Sequence, residues 1–237
     1  LTDAVTRASH NPSDEHEEQG MADKGKLTLR AAIVPVTPLE QNCSLVWSEA
    51  TKKGAVIDPG GDVAMILDAI KQVGITVEKI ILTHGHLDHV GGAMELKEAL
   101  GVAIEGPHIA DQFLMERAEE QARSYGLSGM RNAMSDRWLA EGDTLEIGGE
   151  VFEIFHCPGH SPGSLVYYNK ANGFALVGDV VFQGSIGRTD FPYGDHDALI
   201  SAIKTKLLPL GDDIAFICGH GPMSTFGDER RSNPFLA

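Results

Sequence analysis

Positive charge is scarce in this chain. Nineteen lysines and arginines face 34 acids, which leaves a net charge of −15 over 237 residues. Phosphate recognition needs clustered Lys and Arg, so this balance argues against nucleic acid as a partner. Cysteine is scarcer still. Cys43, Cys157 and Cys218 are odd in number and far apart, which implies no disulfide framework and fits a reducing, cytoplasmic compartment. All three read as small buried apolar residues rather than as thiolate ligands. No apolar run approaches the roughly 20 residues that a membrane-spanning helix needs, so the chain reads as soluble, with no membrane partner.

With 42% hydrophobic residues, a chain of this length can bury a sizeable core. Residues 1–20 are a different matter: Asp3, Asp14, Glu15, Glu17 and Glu18 stand against Arg7 alone. The stretch has no apolar core like that of a secretory signal and is acidic where a transit peptide would be basic. The expectation is a disordered N-terminal extension over 1–22, with Met21 as a natural start, and one folded domain over 23–237.

Along that domain, Leu27–Val36, Ser44–Trp47 and Ala55–Ile57 read as strands of a meander. Asp62–Val73 carries apolar residues at helical spacing, with Asp62 as N-cap and Gly74 as the stop. Val77–Leu82 follows as a strand, then helices over Ala93–Leu100 and His108–Ser124 on either side of a short strand, Val102–Ile104. A second meander runs through Thr144–Ile147, Val151–Phe155, Leu165–Tyr168 and Phe174–Val177, with hairpin turns at Gly148-Gly149 and Asn172-Gly173. A helix over Ala198–Leu207 and a strand over Ile214–Ile217 complete it. Two strand-rich, helix-flanked halves without a linker suggest two sheets packed face to face with helices outside.

The chemistry concentrates in Thr83-His84-Gly85-His86-Leu87-Asp88-His89, three imidazoles and a carboxylate just beyond an apolar strand. These are the ligands that Zn²⁺ and similar cations prefer. Three other strands also end near a ligand-type side chain, at His160, Asp179 and His220. Several reactive groups at one edge of a rigid sheet make a metal site the best reading. Spacing alone does not choose between His156 and His160. His108 and His196 sit at helix starts, where a capping or solvated role fits better.

These motifs resemble the metallo-β-lactamase superfamily. The matching pieces are Thr83–His89 with Gly91-Gly92, the His156–Gly163 loop, Gly178-Asp179 and Gly219-His220-Gly221-Pro222, with Val56–Gly60 like the family's upstream, usually structural, Asp motif. The resemblance implies an α/β fold, an αββα sandwich of two packed mixed sheets with the metals at one edge. It assigns His84, His86 and His160 to one metal and Asp88, His89 and His220 to a second, with Asp179 bridging, and it selects His160 over His156. Two divalent ions follow, most simply zinc, with iron or manganese possible. Asp88 and Asp179 are then the catalytic carboxylates, and a bound water acidified toward neutral pH would act as a metal-bridged hydroxide.

Within the superfamily the chain most resembles short, single-domain glyoxalase II-like hydrolases, through Ile33–Val46, Ile186–Pro192 and Gly219–Phe235. The implied substrate is a thioester such as S-lactoylglutathione. Only 17 residues follow His220, so the C-terminal helical domain with which larger relatives grip glutathione is not expected. Arg188, in the loop after Asp179, is the candidate for holding a substrate carboxylate. The alternative is a mononuclear Fe(II) persulfide dioxygenase acting on glutathione persulfide, with iron on His84, His160 and Asp179.

Overall fold

In a computed structural model, residues 29–236 can be described. The extension expected over 1–22, and the start of the first strand at Leu27, lie outside the described residues. β1 (Leu29–Val36), β2 (Gln41–Ser48), β3 (Lys53–Ile57), β4 (Thr76–Ile81) and β5 (Ala103–Glu105) form one sheet in that order. The first three are antiparallel neighbours, and β3, β4 and β5 run parallel. β6 (Thr144–Ile147), β7 (Glu150–His156), β8 (Leu165–Asn169) and β9 (Phe174–Gly178) follow. A small hairpin, β10 (Val181–Phe182) with β11 (Ser185–Ile186), precedes β12 (Ala215–Cys218) and β13 (Ser224–Thr225). The second sheet has the order β13-β12-β9-β8-β7-β6.

Alternation along the strands builds three apolar layers. In β3, Ala55 and Ile57 face the second sheet, where they join Leu145, Phe152, Leu165 and Leu176, while Val56 faces the helices on the outer side. β8 does the same from the other sheet: Leu165 and Tyr167 point inward, Val166 and Tyr168 outward. The helix Val63–Val73 buries Val63, Ile66 and Ile70 on the first sheet, and Leu199, Ile203 and Leu207 cover the second. This is the αββα sandwich expected from the sequence. Each such aliphatic side chain contributes about 1.5–3 kcal/mol by leaving water.

Three local expectations are corrected. Asp62 does stand at the N-cap position, but its backbone is left-handed (φ 48°) and its side chain makes no cap bond. Its carboxylate instead accepts from the Thr37 amide at 2.6 Å. The single helix expected over His108–Ser124 is broken into a 3₁₀ turn (Ile109–Asp111) and two short helices, Gln112–Met115 and Ala118–Ser124. Asp111 is drawn inward by donors from two loops, and Arg117 is non-helical (φ −121°). The helix expected over Ala198–Leu207 runs as α-helix only through His196–Ala202 and widens to a π-turn over Ile203–Leu207. The helix Phe226–Ser232, with Thr225 capping Asp228, carries no strong apolar period and was not foreseen.

Candidate metal centre

β4, β7, β9 and β12 all point their C-terminal ends to one edge of the sandwich, and each is followed by a loop carrying a ligand-type side chain. The loop after β4 is held from below. Asp58, directly after β3, accepts from the Thr83 amide at 2.7 Å and from the Thr83 hydroxyl at 2.6 Å. The same carboxylate takes the His89 Nδ1 proton at 2.9 Å, and Thr83 Oγ1 lies 3.1 Å from His84 Nδ1. Both rings therefore have their Nδ1 side occupied by the fold and their Nε2 side turned to the open edge. A hydrogen bond on one ring nitrogen fixes which nitrogen is free to ligate.

On that open side, His84 Nε2 lies 3.0 Å from His86 Nδ1, and the ligand atoms of His84, His86 and His160 fall within 4.8 Å of one another. A second group, Asp88, His89 and His220, is equally tight, with His220 Nε2 at 3.1 Å from Asp88 Oδ2. Asp179 stands between them. Its Oδ1 is 3.3 Å from His89 Nε2, and its Oδ2 is 3.5 Å from His160 Nε2 and 3.7 Å from His220 Nε2. All seven residues expected from the sequence come together in this way. A third combination, Asp58 with His84 and His89, is also tight, but Asp58 already accepts from His89 Nδ1 and Thr83 Oγ1 already meets His84 Nδ1. Gly219 is required here because a Cβ would meet Asp179 Oδ1 at 2.0 Å.

Electrostatics favour neutral imidazoles at His84 and His86. Burial, then His89 and His86, hold His84 well below the usual histidine range, and burial and His160 pull His86 down to about 3. Burial also disfavours charge on His89, yet the carboxylates of Asp179, Asp88 and Asp58 together push it up. Burial works against ionisation of Asp179 too, but His89 holds it well below the carboxylate range.

The residues fit a metal pair on a further observation. His89 Nε2, His160 Nε2 and Asp179 Oδ1 are buried without any hydrogen-bond partner. Polar atoms left so are costly, at about 1–3 kcal/mol each, and a pair of cations sharing the Asp179 carboxylate would satisfy all three. The nitrogen and oxygen set suits zinc, iron or manganese.

A family model described as the metallo-beta-lactamase superfamily matches residues 36–220. The chain belongs to this superfamily. Hydroxyacylglutathione hydrolase GloC of Haemophilus influenzae is 50% identical over 209 residues, covering 88% of this chain and 98% of that protein, which places the chain with the glyoxalase II-like branch of the superfamily. The crystal structure of BLEG-1 B3 metallo-beta-lactamase superposes with a TM-score of 0.81 at 35% identity, over 87% of this chain and 99% of that one. TTHA1623 in a di-iron-bound form gives 0.77 at 37% identity, over 86% and 100%. A superfamily sandwich with its ligands at one edge is what the geometry above describes.

Beside the ligands lies a pocket of about 500 Å³, whose walls include Leu39, Tyr125, Arg188, Phe191 and Tyr193. Arg188 pairs with Asp190, and its guanidinium lies 4.5 Å over the Phe191 ring. A second hollow of about 460 Å³, between Thr37, Met65, Glu95 and Met130, is lined by no histidine or cysteine. His156 faces away from the site: Nε2 meets the Pro162 carbonyl at 2.7 Å and the ring stacks on His108. His108 caps its turn, accepting from Ala110. The three cysteines are free and buried, and among the described residues no helix is long and apolar enough to cross a membrane.

Two residues of this site carried no signal in the sequence. Asp111 falls inside the single helix expected over His108–Ser124, and Tyr193 lies just beyond the Ile186–Pro192 segment. Asp111 is wholly buried and accepts from Gly85, Ser161 and Gly163. Burial pushes its carboxyl up, and those three donors pull it back. Tyr193 reaches His86 at 2.9 Å.

Proposed function

We propose that this chain is a binuclear metallohydrolase that cleaves the thioester of S-lactoylglutathione or a near relative to a hydroxy acid and a free thiol. The observation that carries this reading is the pair of tight ligand groups with the Asp179 carboxylate between them. The similarity to GloC supports the substrate class. His84, His86 and His160 would hold one ion, Asp88, His89 and His220 the other, and Asp179 both. When bound, such ions supply Lewis acidity toward a carbonyl and acidify water to a pKa of about 7. Zinc is the simplest choice.

The chain's own residues prepare that chemistry. Asp58 and Thr83 set the tautomers of His84 and His89, so the free nitrogens face the open edge without reorganisation. Asp88 and Asp179 bring negative charge that offsets the cations. Phe191 and Tyr193 stack as an aromatic wall beside the site, and the exposed Arg188 guanidinium over Phe191 would meet a carboxylate of the thiol carrier. A cytoplasmic location goes with the three free thiols.

Elemental analysis joined to turnover tests the proposal. Protein purified with metal should hold close to two equivalents and hydrolyse S-lactoylglutathione with release of one thiol per ester bond. Protein that saturates at one equivalent of iron, oxidises glutathione persulfide and leaves the thioester intact would establish the dioxygenase instead.

A further inference from the structure

The phenolic oxygen of Tyr193 lies 2.9 Å from His86 Nε2. The other nitrogen of that ring, Nδ1, is the one turned to His84 Nε2 at 3.0 Å. A histidine that offers Nδ1 to a cation keeps its proton on Nε2. His86 therefore donates and the Tyr193 oxygen accepts. A phenol has a single hydrogen of its own to give, and His86, already a donor, cannot take it. Among the described residues the Tyr193 hydroxyl has no second hydrogen-bond partner. Its hydrogen is left to the pocket, which His86, Asp88, His160 and Asp179 also line.

This hydroxyl is held in place. The Tyr193 ring stacks on Phe191 at 5.3 Å and 15°, and Phe113 meets it edge-on at 5.5 Å. Arg188 lies over Phe191, so the wall runs outward from His86 through Tyr193 and Phe191 to the guanidinium. With Arg188 taken as the carboxylate site of the proposed function, the thiol arm would run outward along this wall, and the short acyl side of the carbonyl would stay at its His86 end, beside the Tyr193 hydroxyl.

We propose that Tyr193 donates a hydrogen bond to an oxygen on the acyl carbon adjacent to the thioester carbonyl, and so selects 2-hydroxyacyl thioesters over their deoxy counterparts. This rests on the thioester reading above and adds a specificity-determining residue to it. The physical basis is the asymmetry of polar recognition: a site that hydrogen-bonds a substrate hydroxyl discriminates against the analogue lacking it, because a polar group is then left unpaired.

The experiment compares wild type with Tyr193→Phe, both metal-loaded and checked for metal content and melting temperature. S-Lactoylglutathione and S-propionylglutathione differ only in the hydroxyl. The variant should lose about 10- to 30-fold in kcat/KM on the lactoyl ester and no more than about 3-fold on the propionyl ester, with metal content unchanged. Calorimetric binding of the two uncleavable ketone analogues, with a methylene between carbonyl and sulfur, should show the hydroxylated one weakened about 10-fold and the deoxy one little altered. Equal losses on both esters, or unaltered binding of the hydroxylated analogue, would overturn the assignment. A wild type inert toward both esters would instead overturn the thioester reading, and analogue binding would still decide the role of Tyr193.

Discussion

Asp111 Oδ1 lies 2.6 Å from the Gly163 amide, three residues beyond His160. Its other oxygen accepts from the Gly85 amide at 2.8 Å, between His84 and His86, and from Ser161 Oγ at 2.7 Å. One buried carboxylate thus ties together the two loops that supply the whole first histidine group. The contact is tight enough that a Cβ at Gly163 would meet the Asp111 carboxyl carbon at 2.6 Å.

Asp111→Ala should therefore act at a distance from the ligands themselves. It leaves the Gly85 and Gly163 amides buried without an acceptor, at about 1–3 kcal/mol for each orphaned group, so a total loss of about 2–6 kcal/mol is expected in urea unfolding. Metal retention should fall in the His84–His86–His160 group before the other. A loss under about 1 kcal/mol with metal content intact would show that water replaces the carboxylate and that the loops hold without it.

Removing the metals should soften the fold. His89 Nε2, His160 Nε2 and Asp179 Oδ1 are then left with no partner in a buried space. A ligand present at 1,000 times its dissociation constant stabilises by about 4 kcal/mol, and for a chain of this size each kcal/mol moves Tm by about 2–4 °C. Chelation should lower Tm by roughly 8–16 °C, with recovery on adding zinc or manganese. A melting curve that chelator does not move, in protein shown to have lost its metal, would mean the groups are not a binding site.

The candidate ligands were legible in the sequence largely because their chemistry is local, while the choice of His160 over His156 and the split between two ions came from the superfamily resemblance. His84, His86, Asp88 and His89 are near neighbours in the chain, and His160, Asp179 and His220 each follow an apolar strand. The sandwich was legible for the same reason, since period-two alternation and the Gly148-Gly149 turn mark the strands directly. What could not be read was any role created by a long-range contact. Asp111 acquires its function from Gly85 and Gly163, 26 and 52 residues away, and Tyr193 from His86, 107 residues away. The broken helix around Asp111 is the same failure seen in the backbone: a local helical pattern yields where a tertiary contact pulls one side chain inward.

The roles of Asp179 and His220 should separate. Asp179 faces both ligand groups, whereas His220 contacts Asp88 and Asp179 on the second side alone. Asp179→Ala should drop metal content toward zero and abolish thioester turnover. His220→Ala should leave about one equivalent bound while lowering kcat by roughly 10²-fold or more, since an orienting ion at the reacting centre is lost. Unchanged metal content and unchanged hydrolysis in His220→Ala would reduce this histidine to ordinary structure and remove the second site.

Arg188 offers the sharpest test of what the pocket holds at its outer end. Its guanidinium is ion-paired with Asp190 and stacked on Phe191, and both charged partners are largely exposed. An exposed pair of this kind contributes little to stability, so it orders the loop weakly and can be exchanged for a better acceptor. Glutathione brings two carboxylates, and a planar guanidinium binds one in a bidentate, charge-assisted way. Arg188→Ala should lower kcat/KM for S-lactoylglutathione about 10- to 100-fold, mainly through KM, with melting temperature and metal content unchanged. On a small neutral thioester of the same acid, without the peptide, the variant should match wild type within about 3-fold. Asp190→Ala, which leaves the guanidinium unpaired in the free enzyme, should keep or improve KM for the glutathione ester. If instead Arg188→Ala loses as much on the small ester as on the peptide ester, and Asp190→Ala loses as much again, the pair serves only to order the loop. The thiol carrier would then have to be gripped elsewhere on the pocket wall.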